Sequence, residues 1–315
     1  FENIYVVTNE LYKGLVNQHI PEIPKENIIV EPVAKNTAPC IGLAAIHIAK
    51  KDPESKMIVL PADHLIKFNE IFTDTLRTAL DVVENGDNLA TIGITPNYPE
   101  TGYGYINFKR GDSLPNIKNV YEVLKFEEKP NIEKAKEYLA SGQYLWNSGM
   151  FVWKTEFILN EIKKYMDSHK EVLEKIEKML ENKDLNEFYG KALSDYVSGE
   201  FETFEKISID FGVMEHTKSV LVIPVDISWN DVGSFKSLDE IFPKDKKGNV
   251  IRAEKYSEID SEGNIIINKE KGKIIATIGI EDIVIVNTED ALLVCHKDKS
   301  QEIKKILNKI EKENK

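Results

Sequence analysis

Short β-branched runs alternate with longer amphipathic stretches through the first half of this 315-residue chain. Ile4–Thr8, Ile28–Val30, Met57–Leu60 and Ala90–Ile94 read as strands, being brief and mostly apolar. Between them, Thr37–Lys51 is rich in small residues with Pro39 near its start, and Ile71–Val83 has apolar residues at helical spacing. Such a βαβα rhythm predicts an α/β fold, a mostly parallel sheet with helices on both faces. Ligands of these sheets sit beyond the carboxyl ends of the strands, so polar residues directly after a strand are the first candidates for chemistry.

Further along, the pattern changes. From Phe157 to Tyr196, Leu, Ile, Met and Phe are spaced among Glu and Lys, which predicts a helical insertion over about residues 155–215. Ser219–Val225 returns to strand. From Gly248 to His296, short strands are punctuated by Gly248-Asn249, Gly263-Asn264, Lys271-Gly272-Lys273 and Ile278-Gly279-Ile280. Turn signals at near-regular spacing predict a small β-domain built as a short solenoid of coils. Ser300–Lys315 closes the chain as an amphipathic helix, with Ile303, Ile306, Leu307 and Ile310 on one face. The expected organisation is a first domain over residues 1–245 and a second over 246–315.

Composition narrows the function classes. A formal net charge of −12 argues against broad electrostatic binding to nucleic acid, although one Lys or a bound cation can still dominate a cleft. No apolar run reaches the ~18 residues of a membrane span. Cys40 and Cys295 are too few for a disulfide framework or a zinc site and read as thiols of a reducing cytosol. The opening residues read as a strand entered midway, with no signal peptide, so a cytoplasmic protein is expected. The six histidines show no metal-ligand spacing, and no G-x-S-x-G elbow is present.

Six segments carry residues suited to chemistry. In Met57-Ile-Val-Leu-Pro-Ala-Asp63-His64, a carboxylate follows a buried strand, where it suits a hard cation or, equally, caps the next segment. Val222-Ile-Pro-Val-Asp226-Ile-Ser-Trp229-Asn230-Asp231-Val-Gly233 repeats that arrangement, so a carboxylate from each of these two segments makes a candidate metal pair, with Asp226 expected to face solvent. In Glu31-Pro32-Val-Ala-Lys35-Asn36-Thr37-Ala38-Pro39, Thr37 reads as an N-cap with Pro39 in the first turn. That helix start offers backbone N–H groups, and Glu31 is able to accept hydrogen bonds from N1–H and the exocyclic amine of guanine. Pro99-Glu-Thr-Gly102-Tyr103-Gly104-Tyr105-Ile106 is a loop whose glycines permit close backbone approach and whose Tyr103 offers a ring to a sugar. In Phe126-Glu127-Glu128-Lys129-Pro130, Glu128 suits sugar hydroxyls and Lys129 a phosphate. In Trp146-Asn147-Ser148-Gly149, Asn147 suits a further hydroxyl. Asp210, in Ser208-Ile-Asp210-Phe-Gly-Val-Met-Glu215, is a lesser candidate. Each segment alone also reads as an ordinary turn, cap or core aromatic.

In order, the stretches EPVAKNTAP, LPADHLI, PETGYGYI, FEEKP, LWNSGMF, SIDFGVME and WNDVGS resemble the mannose-1-phosphate guanylyltransferases and span residues 31–234. The resemblance implies a Rossmann-like nucleotidyltransferase domain and a short left-handed β-helix, with GTP and mannose 1-phosphate as substrates and GDP-mannose as product. Residue by residue, it implies Asp63 and Asp231 as Mg²⁺ ligands and as catalytic groups with Lys129. Glu31, Pro32, Asn36 and Thr37 fall near the guanine. Tyr103, Gly104, Glu128, Asn147 and Asp210 fall at the mannose, and Lys129 at its phosphate. It also implies a homo-oligomer, a dimer. The family's glycine-rich triphosphate loop is not among these residues; Phe1 corresponds to a point part-way into the usual domain. Two other readings stay open: a pyrophosphorylase for another hexose 1-phosphate or nucleotide, and a non-catalytic regulatory subunit that binds nucleotide sugars.

Overall fold

In the computed structural model, which describes residues 1–111, 113, 117–181 and 199–313, the expected alternation begins at once. The order is β1 (Val6–Asn9), α1 (Glu10–His19), β2 (Ile28–Glu31), α2 (Thr37–Lys51), β3 (Lys56–Val59), β4 (Leu65–Ile66), α3 (Asn69–Glu84), β5 (Leu89–Ile94) and β6 (Tyr105–Phe108). There follow β7 (Tyr121–Glu127), α4 (Ile132–Ser141), β8 (Tyr144–Lys154), α5 (Thr155–Tyr165), α6 (Asp167–Glu181), β9 (Val220–Val225), β10 (Trp229–Asn230) and α7 (Leu238–Ile241). Six short strands, β11 (Val250–Arg252), β12 (Lys255–Ile259), β13 (Ile265–Asn268), β14 (Ile274–Ile278), β15 (Ile283–Asn287) and β16 (Leu292–His296), precede the terminal helix α8 (Ile303–Glu313). The chain divides into two units: Phe1–Ala62 with Lys67–Ile227, and Asp63–Ile66 with Ser228–Lys315.

The first unit is built on a six-stranded sheet ordered β3-β8-β5-β9-β7-β6, and a further β8–β6 pairing closes β8, β5, β9, β7 and β6 into a ring. The expected parallel direction holds for β1 with β2 and for β5 with β9. β3, β5, β6 and β9 all point one way, while β7 and β8 run against them and are interleaved, so the other ladders are antiparallel. The reason lies in the connections: a helical crossover returns the chain in the same sense, whereas β6 turns back into β7 through a loop. β5 is buried at every position, and each of its large aliphatic side chains stabilises the core by about 1.5–3 kcal/mol.

α2 occupies the residues its pattern predicts. Alanines and Gly42 let it pack closely, and Ala38–His47 is buried except at Cys40. Lys50 and Lys51 in its last turn complement the helix dipole. α3 buries Thr75, Ala79, Val82 and Val83, a stripe at helical spacing. α5 and α6 supply much of the predicted helical insertion; its part at 182–198 lies outside the described residues.

In the second unit β11, β13 and β15 stack in parallel, β12 stacks on β14, and β16 adds antiparallel to β15, which makes the predicted coil-like β-domain. Val250, Ile265 and Val284 lie in register at its core, backed by Phe235, Leu238 and Phe242. At its corners, asparagines stack. Asn249 Oδ1 accepts from Asn264 N–H at 2.8 Å, and Asn264 Oδ1 accepts from Ile283 N–H at 2.9 Å. Among the described residues no helix is long and apolar enough to cross a membrane.

Candidate active site

The ladders of the first unit bring several of the expected residues into one row. β6 lies between β7 and β8, with Tyr105 opposite both Glu127 and Trp146. One step beyond these pairs, Gly104 falls between Glu128 and Asn147, and Asn147 N–H donates to Gly104 O at 2.8 Å. A side chain at Gly104 would meet Glu127 O at 3.4 Å and Asn147 Cβ at 3.7 Å, so hydrogen there keeps the row low and open. Glu128 and Lys129 are exposed just after β7. Tyr103 packs edge-on against Trp146, centroids 5.3 Å apart.

Asn147 is committed on two sides. Its Oδ1 accepts from Gly149 N–H at 3.1 Å, and its Nδ2 donates to Asp210 Oδ1 at 2.6 Å. Asp210 opens a π-helical turn, Asp210–Met214. Burial pushes its carboxyl above the usual range, against the opposing effect of the Asn147 hydrogen bond. Glu215 is also raised, by burial and then by the charge of Glu128. Glu215 was not among the expected residues; its place in the SIDFGVME stretch was the only signal.

The start of α2 is joined to this row. Asn36, not Thr37, is the N-cap: its Oδ1 accepts from Thr37 N–H at 2.8 Å. Thr37 Oγ1 instead accepts from Ile209 N–H at 2.9 Å, and Ala38 N–H donates to Ile207 O at 3.2 Å. The donors expected to face a ligand at this helix start are thus used at Thr37 and Ala38, and Pro39 has none. Hydrogen bonds and a short stretch of backbone link Thr37 through Ile209 and Asp210 to Asn147 and Gly104. Glu31 ends β2 before this turn, with Pro32 exposed beside it. Glu31 Oε1 is buried and has no hydrogen-bond partner. Burial raises its pKa to about 7, and burial together with the Glu31 charge pushes the Cys40 thiol to about 12.

The second unit holds the other two carboxylates. β4 pairs antiparallel with β10, Trp229 opposite Ile66 and Asn230 opposite Leu65. This two-stranded ribbon carries Asp63 and His64 before one strand and Asp231 after the other, at the same end. Trp229 Nε1–H donates to His64 Nδ1 at 3.0 Å, which leaves the His64 proton on Nε2. Burial holds the imidazole below its ordinary value although Asp63 and Asp231 both draw it upward. Among the described residues no group of three or more His, Cys, Asp or Glu is gathered for a metal. Two carboxylates nevertheless suit Mg²⁺, which keeps several waters and takes oxygen from substrate phosphates. Asp226, at the end of β9, is exposed to solvent.

Residues 1–248 match the family model described as Nucleotidyl transferase, and residues 254–310 match the MannoseP isomerase/GMP-like beta-helix domain. The chain belongs to the nucleotidyl transferase family. It is 39% identical to a Klebsiella pneumoniae mannose-1-phosphate guanylyltransferase, covering 95% of this chain and 62% of that protein. With the mannose-1-phosphate guanylyltransferase of Escherichia coli strain K12 it shares 38% identity over 98% of its own length and 63% of the other's. It therefore spans less than two thirds of these relatives. A Thermus thermophilus crystal structure, described as a mannose-1-phosphate geranyltransferase, superimposes with a TM-score of 0.80 at 28% identity, over 97% of this chain and 83% of that one.

Proposed function

We propose that the protein makes GDP-mannose and pyrophosphate from GTP and mannose 1-phosphate. A phosphate oxygen of mannose 1-phosphate attacks the α-phosphorus of GTP, the bond from that phosphorus to the bridging oxygen breaks, and pyrophosphate leaves. The observation that carries the reading is the row Glu128–Gly104–Asn147 with Asp210 hydrogen-bonded to it, polar groups gathered by three paired strands and suited to sugar hydroxyls. Resemblance to the guanylyltransferases supports the choice of substrates.

In this reading Glu31 takes the N1–H and amine of guanine, beside Pro32, Asn36 and Thr37. Asp210, held by Asn147, and Glu128 take sugar hydroxyls, with Tyr103 and Gly104 shaping the approach. Lys129 is a point charge for the sugar phosphate. Asp63 and Asp231 would hold Mg²⁺, which when bound neutralises charge on the phosphates. The remaining catalytic task is positioning, which needs no covalent enzyme intermediate. The cytoplasmic setting and the homodimer are part of the same proposal.

The test is pyrophosphate release across a panel of nucleoside triphosphates and hexose 1-phosphates. GTP with mannose 1-phosphate is expected to give the highest kcat/KM, and Asp231→Asn to lower turnover at least about 100-fold. Equal rates with other pairs would overturn the substrate assignment. Near-normal turnover in the variant would remove Asp231 from the machinery, and binding of GDP-mannose without any turnover would favour a regulatory subunit.

A further inference from the structure

Asp231 lies in a turn whose backbone is held in an unfavourable conformation. Val232 has φ of 51°, in the left-handed region where a β-branched side chain is crowded, and Ser228 on the other side of β10 has φ of 50°. Such conformations persist only where the surroundings over-determine them, and they gather at functional sites. Here the restraint is Asn230. The residue is 6% exposed, and its side-chain Oδ1 accepts from Val232 N–H at 2.8 Å. Its Nδ2 donates to Glu240 Oε2 on α7 at 2.9 Å, which anchors the amide to a helix. The next residue repeats the motif, with Asp231 Oδ1 accepting from Gly233 N–H at 3.0 Å. A Cβ on Gly233 would come within 2.5 Å of Asp231 Oδ2, so a larger residue there would push the carboxylate aside.

We infer that Asn230 is a positioning residue for Asp231. Through Glu240 it clamps the Val232 turn and so sets the direction of the neighbouring carboxylate. The inference rests on the reading of Asp231 as a metal ligand. It assigns Asn230 no contact with substrate. Its cost is visible at Val232, where glycine would take up the same backbone without crowding. An outer partner that orients a ligand is worth about 10- to 100-fold in metal affinity.

The experiment compares N230A, N230S, V232G, N230A/V232G and D231N in the whole chain. Free Mn²⁺ is titrated by electron paramagnetic resonance, alongside kcat and the KM for mannose 1-phosphate. N230A is expected to weaken Mn²⁺ binding about 10-fold and to lower kcat, with the sugar phosphate KM changed less than about twofold. V232G alone should resemble the parent, and N230A/V232G should recover at least half of the lost affinity on a logarithmic scale. Were N230A to fail to fold, N230S, which keeps a weaker acceptor for Val232 N–H, decides by the same readings. Parent-like Mn²⁺ affinity in N230A, with binding lost in D231N, overturns the role of Asn230 alone. Parent-like affinity in D231N removes the reading of Asp231 and this inference with it. Loss in N230A without any recovery in the double variant also overturns it, since Asn230 would then act other than through the turn.

Discussion

At the scale of single residues, Glu31, proposed to read guanine, is a group that is costly to keep. Its Oε1 is buried without a partner, and its pKa is raised from 4.5 to about 7. The folded chain therefore holds a proton that the unfolded chain has lost between those values. The stability this group contributes is complete below about pH 4.5 and is lost as pH rises through about 7. Melting temperature measured from pH 5 to 8 should accordingly fall more steeply in the parent than in Glu31→Gln. Guanine recognition carries the opposite sign, because a carboxylate must be ionised to accept from both guanine donors. The KM for GTP is expected to fall as pH rises through about 7. Glu31→Gln should abolish that trend and reduce the preference for GTP over ATP about 10- to 100-fold, the value of one hydrogen bond to a charged group. A preference unchanged in the variant would take Glu31 out of base recognition.

At the scale of elements, two devices stand out, one that gathers site residues and one that holds the β-domain together. One is the β7–β6–β8 set of ladders, which converts three distant segments into one row. The other is the asparagine stack of the β-domain. Asn264 accepts from Ile283 N–H, donates to Ile280 O at 3.1 Å and sits under Asn249, with no exposure. Asn264→Ala removes these partners from half-buried backbone groups, each worth about 1–3 kcal/mol when left unsatisfied. The expected loss is about 2–4 kcal/mol of unfolding free energy in urea, without a change in the KM for mannose 1-phosphate. A loss below about 0.5 kcal/mol would show that water replaces the asparagine at little cost.

At the scale of the whole molecule, the proposed activity predicts a binding signature that does not depend on turnover. GDP-mannose at about 100 times its dissociation constant should stabilise the native chain by about 2.7 kcal/mol. For a chain of this size that raises the melting temperature by roughly 3–5 °C. ADP-glucose at the same concentration should shift it by less than about 2 °C. Equal shifts would argue for a nucleotide-sugar binder without base or sugar preference.

Much of this protein could be read from the residues in order. The β-branched runs and the small-residue helix α2 declare themselves by period, because burial on a sheet or along a helix stripe repeats at fixed spacing. Asp63 was legible as a carboxylate after a strand, Asp231 in the acidic stretch after another, and Gly104 in a glycine-rich loop, whereas Glu128 and Asn147 stood out only by side-chain type. What spacing does not encode is which strand lies beside which. The antiparallel insertion of β8 comes from contacts far apart in sequence, as does the use of an early α2 donor by Ile207. So do the bond from Asn147 to Asp210 and the anchoring of Asn230 on Glu240 beside the Asp231 turn. Local pattern determines where a strand ends and which chemistry stands there. Long-range packing alone decides which of those groups meet, since a hydrogen bond forms only between atoms that the core has already brought within reach.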